Sequence, residues 1–399
     1  MIQCLRWPSP LRLGRILFLG VFLPALVAIG VAWVSLASPA RLVIIGDSTV
    51  MTYNDSYYPQ CGWGQEISHY FQEGKVVIDN RAIGGRSSRS FIEEGRWATV
   101  LATLQTGDFV FIQFGHNDRD TKAERHADTA QYRKFLTQYV TESRSKGAIP
   151  VLVSPMNMNA WNGETFREVF NEGANDYYTA MQRVVKAQQV PFIDLEKKSK
   201  DLFVGLGRDY ITRFLFLGLE PGEYPNFPDG SSDGTHFQEM GALAMARLVA
   251  KGIAELKDHP QVGALSEGLA SLYPLAVQSN KKNAGVITAA GDYPAGAPLT
   301  LKVRPNANET FQGWQNSSGK LLGSQVKVST TMPAEAMNAW ALFQGGSTGL
   351  ASNAPRGNRR MERSSSSPVQ GFRVLAPGNT NPAYRDLRGR ALTGKSGNP

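Results

Sequence analysis

The ten residues from Arg41 to Val50, RLVIIGDSTV, combine a short apolar run with an abrupt turn. Leu42 to Ile45 are all aliphatic, and Gly46 ends the run. A run of this length and composition predicts a strand that is buried on both faces in a parallel sheet. Ligands of such sheets bind beyond the carboxyl ends of the strands, so Ser48 would lie where a nucleophile acts. Gly-Asp-Ser is also ordinary turn chemistry, and the tripeptide alone leaves both interpretations open.

Strand-like and helix-like segments alternate after this run. Strands are predicted at 41–46, 75–80, 108–114, 149–154 and 190–194. Helical patterns cover 63–71, 91–104, 127–146 and 173–188, and a last helix is predicted to begin near Gln238. This alternation predicts a flavodoxin-like α/β/α sandwich of three layers with a five-stranded parallel sheet. Two long aromatic-rich connections, 155–172 and 203–232, interrupt it, and such loops are usually functional.

Three further polar blocks accompany Gly46-Asp47-Ser48. They are GGRSSRSF at 84–91, GHND at 115–118 and DGTH at 233–236. Ester hydrolysis by serine needs a hydroxyl, a base, a group that orients the base and donors for the oxyanion. We assign Ser48 as the hydroxyl, His236 as the base and Asp233, at a turn before the last helix, as the orienting group. Taken singly, His236 would be a surface or capping histidine and Asp233 a helix N-cap.

The four blocks, in this order, resemble the SGNH (GDSL-type) hydrolases. GDSTV, GWGQ, GGRSSRSF, FGHND and DGTHF are similar to the rhamnogalacturonan acetylesterase branch, over about residues 42–254. The resemblance implies that the backbone N–H groups of Ser48 and Gly85 and the side-chain amide of Asn117 donate to the oxyanion. Gly85, not Gly84, matches the family position. No spacing of His, Asp or Glu favours a metal site, and we expect no cofactor.

The resemblance also implies a substrate. It predicts a serine esterase that removes O-acetyl groups from a plant cell-wall polysaccharide through an acetyl-Ser48 intermediate. Acetylated rhamnogalacturonan is the first expectation and acetylxylan the next. The run MNMNAW at 156–161 departs here from an arginine pair common in bacterial members. Aromatic faces suit sugar rings, so the candidate substrate-binding residues are Trp63, Trp161, Tyr224 and Phe227; packing of a loop rim is the alternative.

Two other functions stay open at this point. One is an esterase or thioesterase that acts on small acyl esters or lipids. The other is an exported, non-enzymatic protein that binds or adheres to carbohydrate. The intact set of Ser48, Asn117, Asp233 and His236 disfavours the second.

The two ends of the chain differ in composition from the middle. The first 40 residues contain three arginines and no acidic residue, and Ile16 to Ala37 are nearly all apolar. This segment is long enough to cross a bilayer, so we expect a cleaved signal peptide or an uncleaved anchor over 1–40, and export in either case. The residues after Leu350 carry a net charge of +7, which leaves the middle slightly acidic. The total of +8 therefore does not favour nucleic-acid binding, and only an uncleaved anchor would contact a membrane.

Two further regions follow the hydrolase-like domain at 41–273. Residues 274–345 contain alternating runs such as Leu299–Val303 and Ala339–Phe343, with Gly313-Trp314 between them. This region resembles a single divergent internalin-type B repeat and predicts a small β-rich module. Residues 346–399 are rich in Gly, Ser, Asn, Pro and Arg, which favours disorder. We expect the whole protein to be a monomer.

Overall fold

The structure is a computed structural model that describes residues 38–346. The signal peptide or anchor predicted within residues 1–40 and the tail predicted after 345 therefore lie almost wholly outside the described residues. Within 38–346, no helix combines the length and the apolar character that a membrane span requires.

A parallel sheet of five strands lies at the centre of the larger domain. In spatial order its strands are Val76–Asn80, Ala40–Gly46, Phe109–Gln113, Ile149–Val153 and Phe192–Ile193. Numbered along the chain this order is 2-1-3-4-5, which is the flavodoxin-like arrangement. The predicted five-stranded parallel sheet and its fold class are confirmed.

Alternate residues of the central strands pack against two separate helical layers. Leu42 and Ile44 belong to a core that includes the helix Glu239–Glu255. Val43 and Ile45 belong to a second core, which the helices Thr129–Ser145 and Tyr177–Gln188 complete. Side chains alternate in direction along a strand, so an apolar residue at every position requires cover on both faces. The result is the predicted α/β/α sandwich.

Most predicted helices are present, with changed bounds. The α-helices are Trp63–Glu66, Ser90–Glu93, Arg96–Thr103, Thr129–Ser145, Tyr177–Gln188, Leu195–Leu206, Arg208–Tyr210, Glu239–Glu255 and Gly263–Ser266. Tighter 3₁₀ turns occupy Asp55–Tyr57 and Ile67–Tyr70, and a wider π turn occupies Ile211–Leu215. The helix predicted at 91–104 is broken at Gly95, whose φ of 74° does not fit a right-handed helix.

The predicted long connection 203–232 is largely structured. It contains the end of Leu195–Leu206, two short helical turns and the strand Phe216–Leu219. That strand joins Ser231–Gln238 and Gln60–Cys61 in a three-stranded antiparallel sheet. Asp233 and His236 therefore lie in an irregular strand and not at a helix-preceding turn, because the ladder to Phe216–Leu219 is interrupted between Asp233 and Phe237.

The predicted β-rich module is present. Its five-stranded sheet contains, in spatial order, Gly291–Pro294, Leu272–Ser279, Met337–Phe343, Phe311–Asn316 and Leu321–Gly323. A three-stranded sheet contains Gly285–Ile287, Pro298–Pro305 and Lys327–Thr331. The first and last strands of the module, Leu272–Ser279 and Met337–Phe343, pair in parallel. Trp314 is fully buried at the centre of a core of Leu301, Val303, Ala339, Ala341 and Phe343.

The module packs directly against the larger domain. Leu275, Tyr293 and Leu299 are buried in the same core as the helix Glu239–Glu255. Lys302 pairs with Glu223 and donates to the carbonyl of Arg213 at 2.7 Å. The backbone N–H of Ala289 donates to the hydroxyl of Tyr210 at 2.8 Å. Apolar burial and buried polar contacts thus join the two parts.

Candidate active site

Ser48, His236 and Asp233 form a continuous hydrogen-bonded series. Nε2 of His236 lies 2.9 Å from Oγ of Ser48, and Nδ1 lies 2.6 Å from Oδ2 of Asp233. An ionised carboxylate only accepts hydrogen bonds, so Nδ1 bears the ring proton and Nε2 is free to accept from the hydroxyl. The structure brings the three predicted residues together across 188 positions of sequence.

The environment of Asp233 favours its ionised form. Partial burial by itself raises the pKa of this carboxyl. The hydrogen bond and the charge of His236, together with the N–H groups of Thr235 and His236, outweigh burial and lower the pKa below its usual value. These two N–H groups donate to Oδ1 at 2.7 and 3.1 Å. The backbone of the next residues along the chain therefore fixes Oδ1 of Asp233, while Oδ2 orients the imidazole of His236.

The turn that bears Ser48 is closed by its own backbone. The N–H groups of Val50 and Met51 donate to the carbonyl of Asp47 at 3.1 and 3.0 Å. A Cβ atom at Gly46 would lie 2.8 Å from the carbonyl oxygen of Gln113 and from Cγ2 of Val50. No real side chain tolerates such contacts, so glycine is required where the strand passes into the turn.

Buried polar side chains support this turn from below. Asp47 is fully buried and accepts from the N–H and hydroxyl of Thr49 at 2.9 and 2.6 Å. Burial raises the pKa of Asp47, but the nearby His116 and the Thr49 hydrogen bonds lower it overall. Nδ1 of His116 lies 3.3 Å from Oδ2 of Asp47. Gln113 donates to the Thr49 hydroxyl at 3.0 Å, which extends the support to the neighbouring strand.

The loops GGRSS and GHND are joined side by side. Nδ2 of Asn117 donates to the carbonyl of Arg86 at 3.0 Å. The fully buried carboxyl of Asp118 accepts from the N–H and the hydroxyl of Ser88. Burial raises the pKa of Asp118 to about 7. The two loops therefore form one unit that lies beside the Ser48 turn.

Ser48, Gly85 and Asn117 line the same cleft, and each has an N–H donor without a full set of partners. Among residues 38–346 neither the Ser48 N–H nor the Gly85 N–H has an acceptor, whereas the Gly84 N–H donates to Sδ of Met51 at 3.1 Å. Gly85 has a φ of 78°, a left-handed conformation that favours glycine. The Asn117 amide has two N–H donors, and the bond to Arg86 uses one of them.

These groups open into one cleft of about 850 Å³. Ser48, Gly85, Asn117 and His236 all line it. Its volume is within the usual range for sites that bind small molecules. Residues 38–346 contain no cluster of three or more His, Cys, Asp or Glu side chains suited to a metal ion.

The four aromatic residues proposed to bind substrate do not line this cleft. Trp63 is fully buried, and its indole donates to Gln113 at 2.8 Å, so it supports the strand and has no face for a sugar. Tyr224 is 3% exposed and packs edge-on against Tyr58. Phe227 forms a backbone bridge with Tyr224 and packs against a small apolar cluster of Leu217, Leu219 and Tyr224. The packing alternative describes these three residues.

Trp161 is linked to the strand Ser231–Gln238 through one side chain. Its indole donates to the side chain of Asn159 at 2.8 Å, and the backbone N–H of Asn159 donates to the carbonyl of Gly234 at 2.8 Å. The ring also packs edge-on against Phe166. Trp161 therefore reaches the Asp233–His236 segment only through Asn159.

Several cleft residues were not singled out from the sequence. They are Met51, Tyr53, Tyr57, Ile83, Arg119, Asp120, Thr121, Arg125 and Met158. The hydroxyl of Tyr53 donates to the carbonyl of Ser48 at 2.8 Å. Arg119 directly follows the GHND block, and this position after a strand end was the one available signal.

Comparisons with known proteins match two parts of the chain to two families. A model of the GDSL-like Lipase/Acylhydrolase family matches residues 44–242, and a model of the Divergent InlB B-repeat domain matches residues 275–347. Rhamnogalacturonan acetylesterase RhgT of Bacillus subtilis is 40% identical over 225 residues, 55% of this chain and 94% of that protein. Probable rhamnogalacturonan acetylesterase YesY of the same organism is 39% identical over 218 residues, 54% of this chain and 93% of that protein.

A fungal relative extends the similarity. Rhamnogalacturonan acetylesterase of Emericella nidulans is 28% identical over 233 residues, 53% of this chain and 84% of that protein. Nearly the full length of both bacterial relatives is matched, and all four motif blocks lie within the matched family region. The chain belongs to the GDSL-like lipase/acylhydrolase (SGNH) family and bears a divergent InlB B-repeat domain after its hydrolase domain.

Proposed function

We propose that this protein is a serine esterase that removes O-acetyl groups from a plant cell-wall polysaccharide, with acetylated rhamnogalacturonan as the first substrate. The observation that supports it most is the series Asp233–His236–Ser48, bonded at 2.6 and 2.9 Å, at an open cleft. The names of the similar bacterial and fungal proteins support the substrate class.

The proposed reaction begins with attack by Oγ of Ser48 on the acetyl carbonyl carbon. Nε2 of His236 takes the hydroxyl proton, and the ionised Asp233 stabilises the imidazolium that forms. His236 then gives this proton to the departing sugar oxygen, which leaves acetyl-Ser48. A water molecule, deprotonated by His236, attacks the acetyl carbon, His236 returns the proton to Oγ of Ser48 as the ester bond breaks, and acetate is released.

The negative charge that develops on the carbonyl oxygen needs donors that are already in place. We assign this role to the N–H groups of Ser48 and Gly85 and to Nδ2 of Asn117. Both backbone N–H groups have no other acceptor among residues 38–346, and the Asn117 amide is oriented by its bond to Arg86. Donors that need no rearrangement during the reaction stabilise the transition state most effectively. Because the substrate is a polymer, we propose that the enzyme acts outside the cytoplasm.

Acetate release separates this function from its alternatives. The purified protein would be assayed on acetylated rhamnogalacturonan, acetylxylan and p-nitrophenyl butyrate. We expect acetate from the polysaccharides, with the highest kcat/KM on rhamnogalacturonan. Hydrolysis of the butyrate ester alone would favour a small-ester or lipid esterase, and a protein inactive on all three would contradict an enzymatic role.

A further inference from the structure

Positive side chains outnumber negative ones around the catalytic cleft. Arg86, Arg119 and Arg125 line it, and Asp120 is the one carboxylate among the described lining residues. Nε of Arg86 lies 3.0 Å from a carboxylate oxygen of Glu94. Arg125 pairs with Asp120. Glu172, whose pKa Arg119 lowers from a longer distance, pairs with Arg167. Each of these carboxylates therefore has another arginine as its ion-pair partner, and Arg119 has none among residues 38–346.

Most N–H donors of the Arg119 guanidinium have no partner among the described residues. No carboxylate of residues 38–346 lies within ion-pair distance of it. One terminal nitrogen donates to Sδ of Met158 at 3.4 Å, and its buried Nε has no acceptor. A guanidinium has five N–H donors, and a thioether sulfur is a weak acceptor. Most of the donating capacity of Arg119 is therefore unused.

The guanidinium of Arg119 is nevertheless held in position. Its central carbon lies 5.9 Å from the centre of the Phe170 ring, which is fully buried. The same ring packs edge-on against His116, at 4.8 Å between ring centres. His116 in turn adjoins the Ser48 turn through Asp47. A cation that is stacked on a rigid ring loses little freedom when it binds a ligand.

We propose that Arg119 binds the carboxylate of an acidic sugar residue in the glycan whose acetyl group reaches Ser48. A planar guanidinium matches a carboxylate with two parallel hydrogen bonds, which gives orientation as well as affinity. Asp120 does not compete for Arg119 because Arg125 already pairs with it. This inference rests on the proposed function, since the acidic sugar must belong to the polymer that is deacetylated. It predicts selection for uronate-containing glycans over neutral ones such as xylan.

The test compares one substrate in two charge states. Acetylated rhamnogalacturonan oligosaccharides would be used with free carboxylates and after methyl esterification, and the ratio of kcat/KM for the two forms would be measured. We expect the intact protein to prefer the free acid and Arg119→Gln to reduce this preference about 10-fold or more, mainly through KM. Arg119→Lys keeps the charge without the fork and should retain part of the preference. Lys122→Gln, which removes a charge from the same loop outside the cleft, should leave the ratio as it is.

Three results would overturn the inference. They are equal activity of the intact protein on both charge states, an unchanged ratio in Arg119→Gln, and an equal loss of the ratio in Lys122→Gln. Equal activity on both forms would leave the proposed deacetylation in place. Because a ratio is measured, a general loss of activity or folding in one variant does not imitate the expected result.

A second assay reports anion binding even if no polysaccharide is hydrolysed. Deacetylated oligogalacturonate would be added to p-nitrophenyl acetate assays, with neutral xylo-oligosaccharide of the same length as control. We expect competitive inhibition by oligogalacturonate that weakens about 10-fold in Arg119→Gln and not in Lys122→Gln. Equal inhibition of the intact protein and Arg119→Gln, or none of either, would overturn the inference. Failure on every polysaccharide with inhibition retained would reject the proposed function alone.

Discussion

The side-chain amide of Asn117 donates to the backbone carbonyl of Arg86 at 3.0 Å, and this one bond orients a second N–H of the same amide. The loop that bears Gly85 and the loop that bears Asn117 are thus held in a fixed relation. Two of the three proposed oxyanion donors come from these loops. Asn117 therefore has a structural contact and a proposed catalytic one, which mutation can separate.

We expect Asn117→Ala to lower kcat about 10²- to 10³-fold with a small change in KM, because an oxyanion donor acts mainly in the transition state. Asn117→Asp should be at least as damaging, since it replaces a donor with an anion beside the forming charge. Kinetics on an acetylated substrate and melting temperatures would be measured for both. Asn306→Ala, which loses an exposed amide-to-carbonyl bond in the β-rich module, is the matched control. A near-normal kcat with a lowered melting temperature would reject the oxyanion role.

We expect Asp233→Asn to lower kcat by about 10³- to 10⁴-fold, because the amide no longer stabilises the imidazolium or selects the correct tautomer of His236. The N–H groups of Thr235 and His236 can still donate to the remaining oxygen, so the strand should keep its shape. Asp229→Asn, an exposed change on the preceding loop, should have normal kinetics. Loss of less than 10-fold in Asp233→Asn would show that another group orients the base.

Buried Glu66 predicts a pH dependence of stability. Burial raises its pKa from 4.5 to about 7, and Glu239 adds to this, while a hydrogen bond from Sγ of Cys61 at 3.2 Å opposes it. Between pH 4.5 and 7 the folded protein keeps a proton that the unfolded chain releases, so this group lowers stability as the pH rises. Glu66→Gln keeps an acceptor for Cys61 and removes the titration. We expect the free energy of unfolding of Glu66→Gln to rise by about 2.5 kcal/mol relative to that of the native sequence between pH 5 and pH 8.

Urea unfolding at the two pH values measures this difference. Asp118 and Glu196, whose pKa values burial also raises to about 7, remain in both proteins and cancel in the comparison. Glu73→Gln, an exposed change nearby, is the control. A stability difference that is the same at pH 5 and pH 8 would contradict the assignment.

The contact between Lys302 and Glu223 predicts that the β-rich module unfolds together with the hydrolase domain. Both side chains are largely buried, at 13% and 17% exposure, and Lys302 also lies 5.4 Å from the centre of the Phe214 ring. Lys302→Ala leaves Glu223 buried without its cation, so we expect a loss of about 3 kcal/mol. The double change Lys302→Met with Glu223→Gln should recover most of it.

Calorimetry provides the readout for this pair. We expect a single transition that shifts to lower temperature in Lys302→Ala and hardly at all in Lys320→Ala, an exposed change on the module. Two separate transitions, with only one of them sensitive to Lys302, would mean that the module folds independently.

The central sheet followed from the sequence because its signal is local. Leu42 to Ile45 are apolar at every position, and this pattern specifies a strand covered on both faces wherever the rest of the chain lies. The assignment of Ser48 as the nucleophile likewise followed from sequence motifs, because the four polar blocks resemble, in this order, those of a known family. The fold and the meeting of Ser48, Asp233 and His236 were therefore predictable, whereas most of the other cleft residues were not.

The shape of the site was less predictable because it depends on contacts between distant segments. The strand Ser231–Gln238 contains Gly234 and mostly polar residues, so its pairing with Phe216–Leu219 has no local signature. Trp63 was chosen for its ring, but only the tertiary structure shows that the ring is buried against Gln113. Arg119 lies in an irregular segment without periodicity, and its lack of a carboxylate partner is a property of the folded chain.

Trapping the acyl-enzyme identifies the residue that attacks the ester. The protein would be mixed with acetylated rhamnogalacturonan oligosaccharides, quenched in acid during turnover and analysed by peptide mass spectrometry, with Ser48→Ala as the control. We expect one added acetyl group on the peptide that contains Ser48 and none in Ser48→Ala, with acetate release by that variant reduced by several powers of ten. An acetyl group on another residue, or a Ser48→Ala protein that retains a tenth of the activity, would contradict it.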